Sequence, residues 1–230
     1  MNKFYLFLTA FVALTVQAKA QSKPQVPPTS TFNNNWSLQV VAGTQGVGAD
    51  VRHGVTKNLS VRAGAAFIPV KANNVFSFSG FQSTNNVSVK FSNIHLLADF
   101  VPFKNARGFR LVGGAGYLYK ATGGIEVLPT GNYKVGNYNL SSADLGTLNI
   151  DMSWKGIAPY AGIGLFKSFP QRLFNVNLDL GTYYLSKPQS KITGTEMLAD
   201  NYKLEPQFDS NFKSYRWLPV VQLNFNFKIR

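Results

Sequence analysis

The chain carries a two-residue rhythm rather than a helical one. Near its end Val221, Leu223, Phe225, Phe227 and Ile229 alternate with Gln222, Asn224, Asn226, Lys228 and Arg230. Successive side chains of a strand point to opposite faces, so this segment has one apolar and one polar face. Tyr215 and Trp217 continue the apolar parity upstream. The same alternation marks Trp36–Ala42, Val47–Arg52, Leu59–Phe67, Asn93–Phe100, Phe109–Lys120, Gly156–Leu165 and Phe174–Gly181. No stretch shows a convincing 3.6-residue period, and no apolar run of 18 residues follows the N-terminal segment. The pattern predicts eight strands.

The connections between them are unequal. Short, turn-rich links lie at Gly54–Asn58, Phe103–Gly108 and Ser168–Leu173, and long ones near 71–90, 121–153 and 186–214. The hairpin at Gly43–Gly46 is the one short link on the long side. Tight turns on one rim and long loops on the other predict an all-β fold, an eight-stranded antiparallel up-and-down transmembrane β-barrel. An even strand number closes the sheet and leaves no unpaired edge. Val87, Val89 and Phe91 hold a parity opposite to Ile94 and Leu96, which predicts strand extension above the membrane and a bulge near Ser92–Asn93.

Composition decides which face lies outside. Charged residues make up only 14%, against 45% hydrophobic and 14% aromatic residues. A soluble barrel's exterior normally intersperses Lys and Glu, whereas here the polar face is rich in Gly, Asn, Ser and Gln. Such a face fits a narrow interior, and the apolar face fits lipid. The aromatics sort to both ends of the strands, as interfacial girdles do. Phe100, Phe109, Phe174, Phe225 and Phe227 fall near the short turns, and Phe67, Tyr117, Tyr119, Tyr184 and Trp217 near the long loops.

The N-terminus predicts export. Lys3 gives a positive start, Phe4–Val16 an apolar core and Ala18-Lys19-Ala20 a small-x-small cleavage site, so residues 1–20 read as a secretory signal peptide. Residues 21–35, rich in Pro, Ser and Asn, read as a flexible periplasmic leader, and 36–230 as the barrel. The 23 basic residues against 10 acidic ones would suggest nucleic acid in a cytosolic protein, but export removes that partner. With no cysteine, disulfide scaffolds, Cys-ligated zinc and thiol catalysis are excluded.

GTQGVGADVRHGVTKNLSVRAGAAF (43–67), WKGIAPYAGIGL (154–165) and VVQLNFNFKIR (220–230) give the chain a likeness. It resembles the small eight-stranded outer-membrane barrels of Gram-negative bacteria, of the OmpA transmembrane-domain and OmpX type, and looks particularly like outer-membrane barrels common in Bacteroidetes. The resemblance implies insertion by the outer-membrane assembly machinery. That family's end signal usually closes on an aromatic residue, whereas here the sequence closes Phe227-Lys228-Ile229-Arg230. It implies no particular activity, since such barrels serve as anchors, adhesins, small pores and occasionally enzymes.

Candidate chemistry lies on the polar face. Asp50, Arg52, Arg62, Asp99, Arg110, Lys120, Asp179, Lys228 and Arg230 should face inward, with His95 among them. Unpaired charges in a closed interior are costly, so these should form a lumen charge network, with Asp50–Arg62 and Asp99–Arg110 as neighbouring pairs. The expected role is structural or surface interaction through long extracellular loops; the alternative is a narrow channel or a conduit for small hydrophobic molecules. His95 and Asp99 lie about 13 Å apart along one strand. With His53 the only other histidine, neither catalysis, a metal nor a cofactor is expected. The expected partners are outer-membrane lipid, lipopolysaccharide phosphates met by loop lysines, and an unknown surface ligand.

Overall fold

In the computed structural model the described residues are 35–76, 82–103 and 105–229. The expected signal peptide, all of the leader but Asn35, and Arg230 lie outside them. Eight strands close into one antiparallel ring: β1 (Trp36–Gly43), β2 (Gly46–Gly54), β3 (Leu59–Asn73), β4 (Ser83–Phe100), β5 (Arg110–Pro129), β8 (Leu148–Leu165), β9 (Phe174–Tyr184) and β11 (Trp217–Ile229). Each pairs with its sequence neighbour in the ring, and β1 pairs with β11 to close it, so the expected all-β barrel is present.

The strands are not equally tall. β3, β4, β5 and β8 run 15 to 20 residues, against 8 to 13 for the others. Much of what the sequence offers as long loops is therefore strand. The remaining upper connections carry a β6–β7 hairpin (Tyr133–Val135, Tyr138–Leu140) and the short helix α1 (Ser142–Leu145). Between β9 and β11 lie β10 (Gln189–Gly194), a 3-10 helix (Glu196–Leu204) and α2 (Glu205–Phe212). These helices are short and bury no residue fully, so they left no periodic apolar stripe in the sequence. β10 pairs with the top of β8 and widens the tall wall. Asp209 accepts from the Ser190 amide and Glu205 from the Ile192 amide, both at 2.7 Å, which ties α2 to β10. In α1, Ser141 donates twice to the Asp144 carboxylate and holds its pKa below the ordinary carboxylate value.

Along the four tall strands the polarity of each face inverts at one level. On β8 the outward Leu165, Ile163, Ala161, Pro159 and Ile157 give way to Lys155, Ser153, Asp151 and Asn149. Its inward Gly164, Gly162, Tyr160 and Ala158 give way to Trp154, Met152, Ile150 and Leu148. On β4 the outward Phe100, Ala98, Leu96 and Ile94 are followed by Ser92, Lys90 and Ser88, while Phe91 turns inward and is buried. Below the change Leu96 is 63% and Ile157 73% exposed. That apolar band spans about nine outward and inward residues per strand, the length that crosses a hydrocarbon layer at a tilt.

The parity switch in β4 thus needs no break in β4 itself. It continues in register with β3 throughout, and the expected bulge lies on its other neighbour: Ser92 faces Lys120 and Asn93 faces Leu118, leaving Tyr119 as the extra residue of β5. Across that bulge Gly156 of β8 has φ +101°, a conformation that favours glycine. The bulge also corrects one expectation. Simple alternation sends Lys120 inward, but the inserted residue turns it out, and Lys120 is exposed. Lys228 keeps the inward parity yet lies at the lower rim, where it is exposed.

The aromatic residues stand at both margins of the band. Phe67, Tyr117, Tyr119 and Trp217 are half to two-thirds exposed at the upper margin, and the Tyr184 ring packs 4.8 Å from Trp217. Phe174 packs on Phe225 and Phe227 at the lower margin, with Phe100 on β4 and Phe109 just before β5, 6.0 Å from Phe103. Trp36, half exposed against the His53 ring at 4.2 Å, joins this lower group.

Inward glycines make room for large interior side chains. A Cβ on Gly164 would collide with the Arg110 guanidinium, and one on Gly64 with the Asp50 carboxylate. We expect Gly164→Val to destabilise the barrel by about 1–3 kcal/mol, the usual range for overpacking. Urea unfolding in detergent micelles, followed by tryptophan fluorescence, measures this; an unchanged midpoint would show that Arg110 does not need the space.

Candidate functional site

Inside the ring three arginines meet three aspartates. Arg52 (β2), Arg62 (β3) and Arg110 (β5) are at most 1% exposed, as are Asp50, Asp99 and Asp179. Strand parity delivers them inward, and the ring carries them from five different strands to one level. Arg110 reaches Asp99 at 3.0 Å and Asp179 at 2.7 Å. Arg62 reaches Asp179 at 2.7 Å, Asp99 at 3.5 Å and Asp50 at 3.8 Å, and Arg52 lies 3.3 Å from Asp99. The formal charges cancel, as burial demands.

The expected neighbouring pairs exist, but Arg62 makes its shortest contact across the lumen. β3 and β9 stand on opposite sides of the ring, and Arg62 bridges them. The reason is interior width: an eight-stranded ring is just wide enough for side chains to fill, so a long arginine spans it.

Register explains two of the other contacts. Residues level with each other on strands two apart are separated by nearly 10 Å of backbone, and a side chain between them would block contact. Gly164 is the residue between Arg110 and Asp179. Gly64 is the residue between Asp50 and His95. In both rows the glycine lets the flanking groups meet above it, His95 Nε2 lying 3.1 Å from Asp50.

Amides extend the cluster. Gln45, in the β1–β2 turn, is only 4% exposed; it donates to Gln222 (2.8 Å) and accepts from Asn93 (3.2 Å). Asn93 also meets His95 Nδ1 at 2.8 Å. Gln222 donates to Asn224 (2.6 Å), which donates to Asn177 (2.6 Å) and Asp179 (2.9 Å). Gln39 donates to Asn226. One hydrogen-bonded system therefore runs from the upper turn to the charges. Asn177, Gln222 and Asn224 share the inward parity and were readable from it, whereas Gln45 belongs to a turn that has none.

The lumen is filled above and below this system. Tyr160 and Tyr183 pack at 4.8 Å, and above them Phe91, Leu118, Ala121, Leu185 and Val220 form an apolar core with Trp154 against it. At the lower end the β8–β9 turn folds inward, burying Ser168 and Phe169, whose ring lies 5.9 Å from the Arg52 guanidinium. The network residues expected from sequence, Asp50, Arg52, Arg62, His95, Asp99, Arg110 and Asp179, are thus brought together, and Lys120 is not.

No family model matches the chain, and the search of curated proteins finds no match. Among solved structures it is similar to Acinetobacter baumannii CarO, at a TM-score of 0.60 and 23% identity, over 85% of this chain and 98% of that one. CarO2 of the same organism gives a TM-score of 0.62 at 18% identity, over 85% and 99%. Both neighbours are outer-membrane β-barrel proteins, and at these identities the likeness is one of fold.

Removing one member of the cluster leaves a buried charge without its partner. We expect Arg62→Ala to cost about 3–5 kcal/mol, and Arg62→Met combined with Asp179→Leu to cost clearly less than the two single changes summed. Urea midpoints of the four chains in micelles provide the cycle, and additive costs would mean that the pair is not coupled.

Proposed function

We propose that this chain is an outer-membrane β-barrel protein whose lumen is closed, and that it works through its outer surface and rim rather than by conduction or catalysis. The observation that carries the reading is the filled interior: three arginines at 0–1% exposure paired with buried aspartates, an apolar core above them and Phe169 below. A band of outward Leu, Ile, Val and Phe, uncharged between the two aromatic margins, suits acyl chains and would be unstable against water. The long-stranded rim faces outward from the cell, as long connections do in such barrels. There a folded platform of β10, the 3-10 helix and α2 offers a surface for contact. His95 engages Asp50 and Asn93 with its two ring nitrogens and is closed off from solvent, which suits a structural role.

Two measurements test this reading. Reconstituted in planar bilayers, the full chain should show no discrete conductance steps; steps that change in size with Arg62→Gln or Arg110→Gln would establish a channel instead. Leu96→Arg, within the outward band, should cost about 2–4 kcal/mol of stability in lipid, whereas Ser88→Arg, above it, should stay within about 0.5 kcal/mol. Equal effects would mean that the band does not face hydrocarbon.

A further inference from the structure

Four outward lysines stand on the four tall strands at one level. Lys71 on β3 faces Ser88 of β4, and Lys90, two positions lower on β4, faces Thr122 of β5. Lys120 on β5 faces Ser92, and Lys155 on β8 lies against the bulge between Leu118 and Ala121. Each is thus a facing or diagonal neighbour of the next, within about 7–8 Å across the ladder. All four are exposed, and among the described residues none is in an ion pair. Like charges this close repel, and an anion lying on the row relieves them.

The same strands are shaped below and above the row. Below it, a recess of about 390 Å³ opens on the outward face, with Ala63 and Ala115 among its small residues and Ile94, Leu96, Tyr117 and Ile157 around them. From Lys71 and Lys90, which form its lower wall, a groove of about 400 Å³ rises past Asn73, Asn86, Glu126, Asn149 and Asp151, which line it with amides and carboxylates. Along β4 the outward face passes from Leu96 and Ile94 through Lys90 to Ser88 and Asn86, and Ile94 and Lys90 are about 13 Å apart. The order is apolar, cationic, then hydrogen-bonding.

The geometry points to a binding site for one phosphorylated glycolipid of the outer leaflet, its acyl chain in the recess, its phosphate on the lysine row and its sugar in the groove. The carboxylates decide between lipid classes. Glu126 and Asp151 would repel a phosphate placed in the upper groove, away from Lys71 and Lys90, but they accept hydrogen bonds from sugar hydroxyls. A phospholipid, whose head group ends near the phosphate, would leave the groove empty. The site rests on the membrane reading above, which sets the long-stranded rim in the outer leaflet.

The test uses the full chain folded in detergent micelles, with native mass spectrometry and titration against bisphosphorylated lipid A, its dephosphorylated form and phosphatidylglycerol. One lipid A should bind per chain, with the other two lipids much weaker. Replacing Lys71, Lys90, Lys120 and Lys155 together by Gln should weaken binding about a hundredfold or more. Ala115→Phe, which fills the recess, should weaken it about tenfold, and Lys187→Gln with Lys203→Gln should change nothing. Lipid A binding that survives the loss of all four lysines, or phosphatidylglycerol binding as tightly, would overturn the site. The barrel is scored separately by its dependence on detergent. A chain folded only in micelles but indifferent to the lysines would sink the site alone, whereas one folded and monodisperse without detergent would sink the membrane reading as well.

Discussion

The structure depends on the width of a ring of eight strands. Such a ring encloses little more than its own inward side chains, so each inward group touches groups on strands that are not its neighbours. An arginine entering that space must find a carboxylate or stay out, and all three that enter find at least one. The same limit assigns the glycines. Gly64 and Gly164 sit at the middle of rows whose two ends carry opposite chemistry, and only an absent side chain lets those ends meet. The interior is best understood as one packed polar object in which the backbone and the charges fix each other's positions.

The second constraint is the surroundings of the ring's outside. A strand that leaves hydrocarbon for water must exchange which of its faces is apolar, because the outward face gains water and the inward face must still be buried. β8 does this at Lys155–Ile157 and β4 at Ser92–Ile94, on the two strands that flank β5 and at nearly the same height. β5 makes the exchange with a bulge that inserts Tyr119 between Leu118 and Ala121. The agreement across strands indicates a plane, and the upper aromatic residues Phe67, Tyr117 and Tyr119 gather along it.

This also sets what could be read in the sequence. The ring was legible because period-two alternation is strongest where one face meets lipid and the other a polar lumen, as in β11 and β9. The network was legible for the same reason, since parity alone sends Asp50, Arg62, Asp99, Arg110 and Asp179 inward. Lys120 was misplaced because a single inserted residue reverses every parity beyond it, and a bulge has no composition of its own. Beyond the extension that Val87, Val89 and Phe91 predict, the tall walls look like loops in the sequence because inverted polarity over Asn, Ser and Gly resembles a broken pattern. The cross-lumen partners were not legible at all: which aspartate Arg62 prefers depends on ring closure, not on spacing along the chain.

Height, finally, separates the two sides of the ring. β1, β2, β9 and β11 stop near the upper margin of the apolar band, while β3, β4, β5 and β8 continue well past it. The inner face of that taller half would be left open to water, and the chain covers part of it by folding its last long connection back, with β10 on the edge of β8 and Ile192 buried beneath. The outer face of the same half receives no such cover. Among the described residues it alone carries apolar, basic and amide-rich zones in vertical order, because its strands alone continue well past the apolar band. A packed interior and an elaborated outer wall are therefore linked consequences of one design: chemistry excluded from the interior by packing is left to the surface, on the side where the strands are long enough to build it.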